Sequence, residues 1–67
     1  MKKYAIEITG YGKRTRYSIK EICSNGTNPV DCKAYRTEAD ARAAAARLGV
    51  EIVAIGDLWE ILHAAKA

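Results

Sequence analysis

The residues best equipped for chemistry lie together at Gly10-Tyr11-Gly12-Lys13-Arg14-Thr15-Arg16-Tyr17. Three cations and two tyrosines stand in and beside what reads as a β-hairpin turn. Each arginine carries a planar fork that matches phosphate or carboxylate. Tyr11, at the tip, can stack on a base or fill a partner's pocket. Alternation along the second strand puts Arg16, Ser18 and Lys20 on one face, and Lys3 joins them if the outward faces of the two strands pair. The expected contact surface is therefore Lys3, Tyr11, Lys13, Arg14, Arg16 and Lys20, and the expected partner is nucleic acid or an acidic protein surface. Cations at such positions also keep an exposed sheet edge soluble and block edge-to-edge pairing.

The remaining reactive residues point away from catalysis. Cys23 and Cys32 flank an Asn-Gly turn and can face each other across a hairpin, but two thiols make no disulfide framework. With a single distant histidine, His63, they fall short of the usual four zinc ligands. No motif sets a nucleophile or carboxylate against His63. Glu51, Asp57 and Glu60 are accounted for by capping and solvation. The expectation is a non-enzymatic binding module, with no catalytic residue, metal or cofactor. Trp59, the sole tryptophan, lies at the border of an apolar helix face and is a candidate interface anchor, because tryptophan is enriched at binding hot spots.

Charge is distributed unevenly. Residues 1–36 hold eight cationic side chains against three carboxylates, a net of +5; residues 37–67 hold three against five, a net of −2. An anionic partner should meet the front half. No apolar run approaches the ~18 residues of a membrane span, and the segment after Met1-Lys2-Lys3 alternates instead of forming a leader-like apolar core. A cytoplasmic protein without membrane contact is expected. At 67 residues one domain, 1–67, is expected. It lies near the lower limit for a single hydrophobic core, which makes a homodimer a candidate assembly.

Those residues need elements to position them. Residues 3–9 alternate, with Tyr4, Ile6 and Ile8 on one face. Gly10 and Gly12 supply a turn. A second strand runs from about Arg14 to Cys23, with Tyr17 and Ile19 inward and a bulge near Glu21 to restore the phase at Ile22. The segment 24–29 reads as a turn, and Val30 to Tyr35 as a third strand. Thr37 opens a helix as N-cap with Asp40 in the capping-box position, and Gly49 closes it. Ala41, Ala44, Ala45 and Leu48 form its apolar stripe; Ala39, Ala43 and Ala46 form a second strip of small residues, either solvent-facing or a packing surface. Residues 50–55 read as a strand buried on both faces, internal to the sheet. Asp57 caps a short final helix, with a strand over 58–63 as its rival.

The expected fold is α+β, in the order β-β-β-α-β-α. An antiparallel sheet of three to five strands carries one or two helices on one face. The expected core is Tyr4, Ile6, Ile8, Tyr17, Ile19, Val30, Ala41, Ala45, Leu48, Ile52, Val53, Ile55, Leu58, Ile61 and Leu62.

At Tyr35-Arg36-Thr37-Glu38-Ala39-Asp40-Ala41, following a basic hairpin, the chain resembles small sheet-plus-helix proteins of phages and mobile elements. Gly12-Lys13-Arg14-Thr15-Arg16 with Thr37 to Ala45 resembles the arm-type DNA-binding domain of tyrosine recombinases. There a basic three-stranded sheet enters a groove and a helix backs it. The size, the element order and Gly56-Asp57-Leu58-Trp59 resemble anti-CRISPR inhibitors, compact proteins that bind host nucleoprotein complexes. The first likeness implies DNA as partner, and the second a phage-encoded inhibitor of a host complex.

Overall fold

The computed structural model describes residues 3–24 and 26–66, with positions 65 and 66 described by backbone alone. Four strands and two helices follow in order: β1 (Lys3–Thr9), β2 (Arg16–Cys23), β3 (Gly26–Pro29), α1 (Glu38–Leu48), β4 (Ile52–Gly56) and α2 (Leu58–Lys66). The strands form one sheet in the order β3-β2-β1-β4. The α+β class and the element order are as the sequence implies.

The sheet is mixed, which corrects the all-antiparallel expectation. β1–β2 and β2–β3 are antiparallel, whereas β4 lies parallel to β1. A tight turn can join only antiparallel neighbours, and a strand reached through a helical crossover is free to run parallel. α1 is that crossover. It carries the chain to the outer side of β1, because β2 already occupies the inner side. β4 is thus an edge strand and not an internal one, and Val53 is exposed on it. The register slips between Tyr4 and Ala5, whose β4 partners are Ile52 and Ala54, so Val53 is an extra residue.

The β1–β2 register is continuous from Lys3↔Ile22 to Thr9↔Arg16, and the bulge expected near Glu21 is absent from it. Ile22 simply falls on the face of Lys3. The third strand also begins earlier than expected. Cys23 pairs with Gly26, and Thr27 and Asn28 are drawn into the ladder; the turn expected at Asn25 lies outside the described residues. Residues 30–34 are irregular, and Tyr35 rejoins the sheet through one isolated bridge to Tyr17.

Both faces of β1 are covered. Ala5 and Ile6 point to opposite sides of the strand, yet each is 0 % exposed. Ile6 lies beside Ile19, which packs with Ala44 and Ala45 of α1 together with Val30, Tyr35, Val50 and Ile52. α2, lying against β4 and β1, covers the side of Ala5. The helices are therefore divided between the two faces and do not share one. Small side chains make this feasible: Ala5 on the sheet, and Ala41, Ala44 and Ala45 on α1, are all buried. Leu48, Val53 and Leu58, expected in the core, are exposed. The second alanine strip, Ala39, Ala43 and Ala46, faces solvent.

The helix ends follow local rules. Thr37 Oγ1 accepts from the Asp40 amide at 3.1 Å. At the other end Gly49 is left-handed (φ 73°). The Gly49 amide donates to the Ala46 carbonyl and the Val50 amide to the Ala45 carbonyl, the paired closure that a C′ glycine permits. Asp57 Oδ1 accepts from the Glu60 amide at 2.9 Å, which starts α2 and removes the rival strand.

Candidate functional site

The loop between β1 and β2 is wound tightly. Gly10 (φ 73°) and Gly12 (φ 61°) are both left-handed, where a Cβ would be strained. At Gly10 there is no space either, since a Cβ there would lie 2.5 Å from the Arg14 carbonyl oxygen. Residues Gly12–Arg14 form a single 3-10 turn. It is closed by Arg14 N–H donating to Tyr11 O at 3.1 Å and Thr15 N–H donating to Gly12 O at 3.2 Å. The turn pushes Tyr11, Lys13 and Arg14 into solvent, with Tyr11 89 % exposed.

Arg16 behaves differently. Its Nη1 donates to the carbonyls of Thr15 (2.8 Å) and Lys13 (3.3 Å). One nitrogen of the guanidinium thus braces the loop, while Nε and Nη2 keep donors for an incoming anion.

A fourth cation joins them. Tyr17 and Tyr35 exchange backbone hydrogen bonds of 2.8 and 2.7 Å, and this bridge brings Arg36 alongside the loop. Lys13, Arg16, Arg36 and Thr15 line one shallow depression of about 450 Å³, with Gly12 and Tyr17 completing its wall. A second depression of about 630 Å³ adjoins it and is lined by Gly10, Tyr11, Gly12, Lys13 and Arg14. None of the four cations is within ion-pair distance of a described carboxylate. Glu38, two residues from Arg36, is instead engaged by Arg42 Nε at 2.8 Å.

The segment that carries Arg36 is anchored from behind. The Tyr35 hydroxyl donates to Asp31 Oδ2 at 2.5 Å, and Asp31 Oδ1 accepts from the Lys33 amide at 3.1 Å. Partial burial pushes the Asp31 carboxyl up. The Tyr35 hydroxyl and the backbone amides outweigh that push and hold it below its ordinary 3.8. The same hydrogen bond to Asp31 raises the Tyr35 phenol above its ordinary 10.0, with Arg47 opposing.

The structure gathers only part of the expected set. Lys13, Arg14, Arg16 and Tyr11 share the loop. The outward faces do pair as the alternation implied, so Lys3, Lys20 and Arg16 share a side of the sheet. Lys3, however, is at the opposite end of β1, about 20 Å away at ~3.4 Å per residue, and Lys20 lies about 13 Å along β2 from Arg16. The face they share is also the one covered at Ala5, so it is not the open cationic surface expected. Arg36 lies outside the expected set, because nothing local in the sequence reveals the Tyr17–Tyr35 pairing. Trp59 is 72 % exposed on α2.

The two thiols are free and do not face each other. Cys23 pairs with Gly26, and exposed Cys32 lies in the irregular segment with φ 58°. His63 is exposed. Among the described residues no group of three His, Cys, Asp or Glu side chains is placed to hold a metal ion. No described helix is long and apolar enough to cross a membrane. No family model, curated protein or solved structure matches the chain.

Proposed function

We propose that this protein is a small non-enzymatic binding module whose loop between β1 and β2 contacts the phosphates of nucleic acid, free or within a nucleoprotein complex. The observation that carries the reading is the convergence of Lys13, Arg14, Arg16 and Arg36 on one end of the sheet without partners among the described carboxylates. Unneutralised cations held together attract polyanions, and each phosphate contact releases condensed counterions. The test is fluorescence anisotropy of labelled oligonucleotides at low and rising salt. Salt-sensitive binding that is lost in a Lys13→Ala/Arg14→Ala double variant is expected. Absence of any salt-sensitive binding would refute the reading.

A second reading, an inhibitor that grips a host protein complex as anti-CRISPR proteins do, is favoured by Trp59, whose indole is largely exposed on α2. The two readings separate by mutation. Trp59→Ala leaves oligonucleotide affinity unchanged under the first, and abolishes complex binding under the second. Retention of complex binding in Trp59→Ala would remove the second.

A further inference from the structure

We infer that the loop takes single-stranded nucleic acid in preference to duplex, with a base on Tyr11 and its flanking phosphate among Lys13, Arg16 and Arg36. The inference rests on the nucleic-acid reading above and narrows its ligand.

Three observations carry it. The first is the pair of adjoining depressions, which share Gly12 and Lys13 but differ in chemistry. One is lined by Tyr11 with Gly10, Gly12, Lys13 and Arg14, an exposed aromatic beside cations. The other is lined by Thr15 and Tyr17 with Lys13, Arg16 and Arg36, a more cationic cradle. A nucleotide in a single strand presents the same sequence of groups: a free base face, then a phosphate. Base–aromatic stacking beside a cationic track is how single strands are held without sequence preference.

The second observation is the exposure of Tyr11 at 89 %. No described neighbour covers its ring, so a base can reach it. In a duplex the base faces are already stacked on each other.

The third is the covering of both faces of β1. A two-stranded ribbon can enter the major groove of DNA, but only if one of its faces is free. Here Ala5 and Ile6, on opposite faces, are both 0 % exposed. The middle of β1 therefore offers no free face to a groove. What projects is one 3-10 turn of three residues, too short to lie along a groove as a helix does.

The test compares three labelled probes at low salt: a 12-nucleotide single strand, the 12-base-pair duplex of the same sequence, and inorganic polyphosphate of similar charge. The single strand should bind more tightly than the duplex. Tyr11→Ala should weaken the single strand by about 5- to 150-fold, the range expected for loss of one base–aromatic stack, and leave polyphosphate affinity unchanged. Tyr11→Trp should retain single-strand binding, and Arg36→Ala should weaken all three probes. Because Tyr11 is solvent-exposed, its truncation should leave the thermal midpoint in place. Equal or tighter binding of duplex, or indifference of the single strand to Tyr11→Ala, would overturn the inference and leave the wider reading standing. Failure of both nucleic acids to bind would overturn both.

Discussion

The four cations at the loop are chemically similar but hold different positions in the structure. Lys13 and Arg14 project into water, whereas Arg16 spends one nitrogen on the carbonyls of Thr15 and Lys13. Removing Lys13 or Arg14 should therefore change binding alone. Each alanine variant should lower the slope of log affinity against log salt by about 0.7 to 0.9, one phosphate contact, with an unchanged thermal midpoint. Arg16→Ala should lower affinity and also destabilise the fold, by about 1 kcal/mol for the lost loop hydrogen bonds, readable by urea denaturation. Unaltered stability in Arg16→Ala would show that its bracing role is wrong. The Asp31–Tyr35 hydrogen bond makes a pH-dependent prediction. Asp31 is shifted down, so its contribution is complete above its unfolded value near 4 and disappears as pH falls through the lower folded value. Tyr35 is shifted up, so its contribution is complete below about 10 and disappears as pH rises through the higher folded value. The contribution of this pair should be level between these limits and fall outside them. Tyr35→Phe should abolish the alkaline fall and reduce the acid one. An unchanged alkaline limb in that variant would contradict the assignment.

Among the elements, what is encoded within a few residues was legible and what depends on distant partners was not. Thr37 with Asp40, Gly49, and Asp57 with Glu60 set helix ends through hydrogen bonds within four residues, and all three lie where the sequence indicates. The third strand lies earlier than the alternation of residues 30–35 implies because the polar stretch Gly26–Pro29 pairs with β2, a choice made by a neighbouring strand and not by local propensity. The apolar run of β4 implies an internal strand. Its position was decided by α1, which delivers it to the free side of β1. The candidate site divides in the same way. Gly10 to Arg16 announce an exposed cationic turn by composition, while Arg36 enters through a bridge between residues eighteen positions apart. Gly10 offers the sharpest test at this scale. Gly10→Ala meets both an unfavourable φ and the Arg14 carbonyl, and should cost about 1–3 kcal/mol. It should also weaken oligonucleotide binding by displacing the turn. A variant as stable as the parent would mean that the loop is not wound as described.

The whole molecule is small, and its thinness has consequences. A chain of this length buries only about 60% of its unfolded surface, so total stability should lie at the low end of the ~5–15 kcal/mol range. Ile61 is the fully buried side chain by which α2 seals its face of the sheet. Ile61→Ala should cost about 2–5 kcal/mol, enough to leave much of the protein unfolded, as circular dichroism would show. A native-like melt in that variant would mean that α2 is dispensable to the core. On the proposed reading a polyanion meets the loop end, where the positive charge of residues 1–36 supplies the attraction. The most direct measurement is a map of backbone amide shifts as an oligonucleotide is titrated into the labelled protein. The account predicts that shifts concentrate at Gly10 to Arg16 and at Arg36, with little change along β4 and α2. Shifts confined to β4 and α2, or absent altogether, would contradict it.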